Sequence, residues 1–508
     1  MPQNHNLYQL FQSRFPNDAT KPFLMLEHGS ELRYGDVDSL SGQYTAVLKN
    51  CDIQKGDRVL VQTAKSPQTI MLYLACLRVG AIYLPLNTAY TAAEVDYFMS
   101  DATPKVIVID PDNYEALAPL AEKHGVSHVM TLDAAGKGTL ATAAANATPI
   151  DLIEQMEADD LAAILYTSGT TGRSKGAMLS HDNLASNALT LHEIWHWQDN
   201  DILLHALPVF HVHGLFVALH CALLGGSSIW FLPKLDIDAL IRLLPKSTVL
   251  MGVPTFYTRL LDDERFTRDL CTNMRLFISG SAPLLSETSD QFEECTGLRI
   301  LERYGMSEAG MITSNPYEGG RIAGTVGFAL PGVSLRIADD QGKSVPNGEI
   351  GVLEFIGPNL FKGYWQMPEK TSEEHRADGY FITGDMATMD DEGRVSIVGR
   401  AKDLIISGGY NVYPKEIEGV IDDIDGVLES AVIGVPHTDF GEAVVAVVVK
   451  DGPLDIEAHD IMTSLADSLA KFKQPKEIIF LETLPRNTMG KVQKNQLRNT
   501  YKTLFNKE

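Results

Sequence analysis

The sequence predicts an α/β protein. A large N-terminal domain of parallel-rich βα sheets contains a small barrel-like β module, and a smaller α+β C-terminal domain follows. Three observations carry this. Nearly continuous apolar runs alternate with amphipathic stretches through the first two-thirds of the chain, the pattern of strands covered by helices on both faces. Near 320–400 the strand-like pieces are separated by Gly, Pro and Asp clusters, the punctuation of antiparallel hairpins. After Asp403 comes a tail of about 105 residues, enough for a separate domain.

The elements follow in chain order. RVLVQTA (58–64) precedes a helical pattern near 68–79, and KVIVID (105–110) precedes one at 113–124. LAAILYT (161–167) leads into a Gly-rich turn and then a helix. TVLMGV (248–253) and RLFISG (275–280) repeat the alternation. SLRIAD, GVLEFIG and RVSIVG supply the β module. In the tail, ESAVIGVP and EAVVAVVVK read as strands and 457–471 as a helix. The short polar stretch at 400–403 is the expected hinge, dividing domains at 1–399 and 404–508.

Composition narrows the function. The 508 residues are 44% hydrophobic and 21% charged, ordinary for a globular chain of two to four folding units. A formal charge of −24 argues against wholesale binding to nucleic acid or anionic membranes. Cys51, Cys76, Cys221, Cys271 and Cys295 contain no CxxC pair, which disfavours a disulfide framework or zinc cluster and favours a reducing compartment. MPQNHNLYQLFQ lacks a signal-peptide pattern, no apolar run is long enough for a membrane helix, and FNKE carries no lipidation or peroxisomal signal. The chain therefore reads as cytoplasmic. Residues 471–508 carry nine Lys/Arg against three Glu. That stretch reads either as an exposed helix end or as a basic lid over an anionic substrate.

Tyr166 to Gly176, YTSGTTGRSKG, joins glycines, hydroxyls and a lysine after an apolar strand. Glycine allows close backbone approach to phosphate, and hydroxyls and lysine supply donors. Five residues separate Gly169 from Lys175, so it is not a Walker A loop. Seven further segments follow in order: ALPVFHVHGL (206–215), MGVPTFYTR (251–259), ISGSAPL (278–284), ERYGMSEAG (302–310), GYFITGD (379–385), GRAKDLIISGGYNVYPKEIE (399–418) and LPRNTMGKVQK (484–494).

With these segments the chain resembles the adenylate-forming superfamily of acyl-CoA synthetases, peptide-synthetase adenylation domains and beetle-type luciferases. The resemblance implies that fold, with a mobile C-terminal domain, and a reaction in two halves. A carboxylate attacks ATP to give an acyl-adenylate, and a thiol then displaces AMP. It implies ATP, Mg²⁺ and coenzyme A as cofactor and co-substrates. Thr167, Ser168, Gly169, Thr170, Thr171, Gly172 and Lys175 would hold the phosphates. Ser281, Glu302, Arg303, Tyr304, Gly305, Met306 and Ser307 would line the nucleotide, with Tyr304 on adenine. Glu308, with Thr170, would bind Mg²⁺, as a hard cation prefers oxygen ligands. Asp385 would take the ribose hydroxyls and Arg400 the ribose or phosphate, although the two could instead form a structural ion pair. Lys491, with Glu308 and Thr171, would be catalytic. Lys402 would be the hinge, and Ser407, Gly408, Gly409, Lys471 and Lys473 would meet coenzyme A.

LYLACLRVGAIYLPLNTAYTAAEVDYF (72–98), LMGVPTFYTRLL (250–261) and LPRNTMGKVQKN further resemble malonyl-CoA synthetases. That resemblance implies ATP-dependent ligation of malonate to coenzyme A. Arg259 and Ser281 would hold the distal carboxylate, His211 would form a wall, and Met306 would limit C2 substituents. Arg259 could instead sit on a helix surface. The pair His211 and His213 shows no third metal ligand in the sequence. MSEAG departs from the more frequent MTET, and Ala309 with Gly310 leaves room for methylmalonate. Other short or medium-chain acids and a luciferase-like oxygenase stay open. The expected assembly is a monomer or weak homo-oligomer acting on small molecules.

Overall fold

The computed structural model describes residues 4–167, 174–407, 410–437, 440–452, 456–469, 471–487 and 490–505. Two parallel-rich sheets dominate the first 330 residues. One runs in the order His128–Thr131, Val106–Ile109, Arg58–Gln62, Ile82–Pro85, Leu161–Thr167, Lys175–Ser180. The other is centred on Leu301–Met306, Leu276–Ser279, Val249–Gly252 and Ile202–His205. Their apolar strands are buried almost without interruption, as parallel sheets covered on both faces require. Helix Pro67–Val79 shows how local chemistry sets the boundaries. Ser66 caps the Thr69 N–H, Pro67 opens the helix, and Gly80 ends it with a left-handed φ of 71°.

The segment after the Gly-rich loop corrects the sequence reading. No helix starts there. The chain returns as the antiparallel strand Lys175–Ser180, paired Thr167 with Lys175 through Leu161 with Ser180. Gly176 makes this hairpin compact, because a Cβ there would press on Ile164 and Trp365. Helix His181–Ile194 begins only after that strand, with Ser180 capping the Asn183 N–H. A phosphate held by the loop is therefore not backed by a following helix N-terminus, the usual dipolar anion site. Cationic side chains must supply more of the field.

The β module is the antiparallel sheet Ser334–Ala338, Gly351–Ile356, Phe381–Met389, Val395–Arg400. The barrel-like closure expected from sequence is incomplete among the described residues. The outer strand meets the rest of the domain through a single bridge, Gly327 with Val395, so the ladder stays open. The tail packs two apolar clusters of its own around the long hairpin Val427–His437 and Gly441–Lys450. The expected helix at 457–471 is observed as Ala458–Ser468.

The described cysteines are free, and four of the five are buried. Among the described residues no helix is long and apolar enough to cross a membrane.

Candidate active site

The site is built on the strand Leu301–Met306, whose side chains alternate between faces. Glu302 and Tyr304 share one face, and Arg303 points to the other. The buried Glu302 carboxylate accepts the Gly324 N–H at 3.0 Å, and burial pushes its pKa up to about 7. The Tyr304 hydroxyl donates to Asp385 at 2.5 Å. Asp385 and Arg400 stand directly opposite on adjacent strands, with Arg400 Nε 3.0 Å from Asp385 Oδ1. The Asp385 charge holds the guanidinium above its ordinary range. The ion pair anticipated as an alternative is thus formed, and it places both groups beside Tyr304.

Lys491 reaches this cluster from the C-terminal domain. It sits on a small turn closed by the Arg486–Val492 bridge, where its N–H donates to Asn487 Oδ1 at 2.9 Å. A Cβ at Gly490 would lie 3.6 Å from the Thr255 side chain, so this turn rests on the N-terminal domain. Lys415 adds a second contact, donating to the Ile397 carbonyl at 3.0 Å. Burial pulls the Lys491 pKa down to about 8, and the positive charge of Arg400 adds to that fall. Asp385 and Glu308 act in the opposite sense. The lysine is therefore desolvated among fixed charges, where electrostatic effects are strongest.

Glu308 is buried at 6% exposure. Burial raises its carboxyl pKa, and Tyr364 Oη lies 3.0 Å from its Oε1. A buried carboxylate of this kind gains from an oxygen-seeking divalent cation, so Glu308 fits the metal role. Thr170, its proposed companion, lies outside the described residues, as do Ser168, Gly169, Thr171, Gly172, Gly408 and Gly409. Thr167 is half-buried at the edge of the same loop, opposite Lys175. Lys175 Nζ donates to Glu374 at 2.8 Å.

The acyl side holds two candidate cations, Arg259 and Arg303. Arg259 is exposed. Helix Pro254–Leu261 buries Phe256, Tyr257 and Leu260, and Arg259 stands one turn beyond Thr255, the residue on which the Lys491 turn rests. The buried cation is Arg303, 4% exposed, whose Nε and Nη2 have no hydrogen-bond partner among the described residues. Burial lowers its pKa to about 9. Gly280 makes the space for it, since a Cβ there would collide with the guanidinium.

Beside Arg303 stand His211 and His213, both held below the ordinary imidazole range by burial. His213 is fully buried, its Nδ1 lies 3.3 Å from Ser281 Oγ, and its Nε2 has no partner among the described residues. Burial, then Lys491 and Arg303, lower the His211 pKa to about 3. Ser281 holds a left-handed φ of 70°, a strained conformation that recurs at ligand sites. Met306 is half-buried and pairs with Gly310; Gly305 and Ser307, its neighbours on the same bend, are half-buried too. No group of three or more His, Cys, Asp or Glu among the described residues is arranged to hold a metal.

The proposed coenzyme A and hinge residues are more dispersed. Ser407 is buried at the end of Ile405–Ser407, and Lys471 and Lys402 are exposed. Lys473 is paired with Glu416 at 2.5 Å. Lys494 pairs with Glu418, Arg486 with Glu429 and Arg498 with Asp403. Four of the tail's cations among the described residues are therefore neutralised by carboxylates of the C-terminal domain or the hinge.

Sequence reasoning missed three residues. Lys65 is buried and donates to His205 Nδ1, His205 O and Leu207 O at 2.8, 2.9 and 3.0 Å, fixing the base of the FHVHG segment. Tyr364 and Glu374 join Lys175 to Glu308. No motif marks these positions. They become visible only when distant segments meet.

Comparison with known proteins identifies the family. Residues 11–365 match the AMP-binding enzyme family, and residues 416–491 match the AMP-binding enzyme C-terminal domain. A malonate–CoA ligase of Arabidopsis thaliana is 35% identical over 512 residues, covering 94% of this chain and 83% of that protein. The crystal structure of ATP-bound MatB from Rhodopseudomonas palustris is 54% identical and superposes with a TM-score of 0.97, covering 99% of this chain and 100% of that one. The apo crystal structure of MatB, at the same identity and coverage, gives 0.86. The chain therefore superposes better on the ATP-bound structure than on the apo one.

Proposed function

This chain belongs to the AMP-binding enzyme family, and from that membership we propose that it ligates malonate to coenzyme A at the expense of ATP. A malonate oxygen attacks the α-phosphorus and pyrophosphate leaves. The coenzyme A thiol then attacks the acyl carbon of malonyl-AMP, AMP leaves, and the thiol proton passes to solvent. The observation that carries the choice of acid is Arg303. A buried guanidinium with two nitrogens unpartnered among the described residues matches a second substrate carboxylate, because an arginine fork binds carboxylate bidentately and a buried charge needs a partner. A fatty acid would leave it unpaired. His213 and Ser281 would complete the distal pocket, and Met306 would limit C2 substituents, since Asn187 fills the space beside Gly310.

Lys491 would contact the reacting carboxylate and α-phosphate together, neutralising charge as it develops. Arg400 and Asp385 would fix the ribose, and Tyr304 the base. Glu308 would hold Mg²⁺, which supplies charge neutralisation to the phosphates when bound. For the second half-reaction we propose a swing about Lys402 that withdraws Lys491 and presents Ser407, Gly408 and Gly409 to the thiol. Free, buried cysteines support residence in a reducing compartment.

Pyrophosphate release with acetate, malonate, methylmalonate, succinate and a medium-chain fatty acid tests the reading. Malonate should lead. Preference for the fatty acid would sink it.

The lowered Lys491 pKa adds a pH prediction. Near pH 8 the free lysine is about half deprotonated. An arriving triphosphate favours the charged form and raises its pKa. ATP binding at pH 8 should therefore take up about half a proton, read from calorimetry in buffers of different ionisation enthalpy. Lys491→Ala should abolish the uptake, and proton release in the parent enzyme would contradict the assignment.

A further inference from the structure

Lys175, the proposed phosphate cation, is already engaged. Its Nζ lies 2.8 Å from Glu374 Oε1 and 4.1 Å from the centre of the Tyr364 ring. The pair is sheltered, with side-chain exposures of 17% and 22%. Glu374 Oε2 accepts the Tyr364 hydroxyl at 2.6 Å, and the same oxygen of Tyr364 stands 3.0 Å from Glu308 Oε1. Lys370 approaches Glu374 at 3.2 Å. Tyr364 has one proton to give and faces two carboxylates. Glu374 follows helix Pro368–Glu373 in the chain, far in sequence from the Gly-rich loop, and the fold brings it to the strand end where Lys175 leaves that loop.

A phosphate that takes Lys175 competes with Glu374 for the same ammonium. We propose that Glu374 is an internal phosphate surrogate. It holds Lys175 in place before ATP arrives, and it reclaims the lysine as pyrophosphate departs. Tyr364 ties this exchange to Glu308. While Lys175 is on the phosphate, Glu374 keeps the Tyr364 proton and Lys370, leaving Glu308 free to serve the nucleotide. Glu374 is then a positioning residue for product release, acting through Lys175. This rests on the reading of Lys175 as the phosphate cation.

Glu374→Gln keeps the shape and removes the charge. By calorimetry without divalent cation, inorganic pyrophosphate should bind the variant about tenfold tighter, since a like charge beside the site is gone. AMP, which has no β-phosphate, should bind within about twofold of the parent. In turnover, the KM for ATP and kcat should fall together, because the product leaves more slowly. A purely structural Glu374 would weaken both ligands. Equal changes for pyrophosphate and AMP, or none, overturn the proposal.

Lys175→Met separates the two readings. Combined with Glu374→Gln it should show no further gain in pyrophosphate affinity. If Lys175→Met alone binds pyrophosphate like the parent, the phosphate role of Lys175 fails, and the surrogate role fails with it. If Lys175→Met weakens pyrophosphate but Glu374→Gln changes nothing, only the surrogate role fails.

Discussion

Lys491→Ala should cut malonyl-AMP formation about 10³-fold while leaving thioester formation from supplied malonyl-AMP within about threefold. The asymmetry follows from where the lysine sits. It is carried by the C-terminal domain yet buried against Arg400, Asp385 and Arg303, so it serves the conformation in which its turn rests on Thr255. Removing it takes away a positive charge from a desolvated place where anions must approach. The second half-reaction needs that turn to be elsewhere. Pyrophosphate exchange measures the first step, and coenzyme A consumption from synthetic malonyl-AMP measures the second. Loss of both in parallel would make the lysine a general structural element.

Arg303→Met should lower malonate kcat/KM about 10³-fold, as expected when one partner of a buried charge pair is lost. Activity on acetate or propionate should hold or rise, because the apolar side chain no longer asks for a second carboxylate. Arg259→Ala, an exposed charge on its helix, should lower malonate kcat/KM less than Arg303→Met does, because water screens an exposed charge. The opposite ranking, with Arg259→Ala severe and Arg303→Met mild, would return the distal carboxylate to Arg259. Nucleotide affinity of both variants, measured with AMP, separates pocket effects from global damage.

The βα alternation, the β-rich module and the tail were legible because apolar runs and Gly/Pro punctuation report burial and turns directly. Asp385 and Arg400 were legible as a pair, although only strand register places them opposite each other. The hairpin at 161–180 was misread because a short strand led by Lys175-Gly176 has little apolar signal of its own. Its pairing comes from a neighbour. Arg303 was grouped with the nucleotide residues because it sits between Glu302 and Tyr304 in one motif. The two-residue period of a strand already sets it on the other face, and Gly280 gives it room. Arg259 looked apt as a charge at the end of an apolar motif. Only the helix shows that it lies one turn from Thr255, against which the Lys491 turn packs. Glu374 could not be read at all, since its meaning depends on Lys175 across 199 residues.

The unpartnered guanidinium of Arg303 has a thermodynamic consequence. Without an acid bound, two of its buried nitrogens keep no hydrogen-bond partner among the described residues, a cost set against folding. Fold stability and catalytic competence therefore pull this position in opposite directions. An apolar replacement that removes malonate activity should give a protein with a higher melting temperature, and selection for heat tolerance alone would erode the pocket from this residue first.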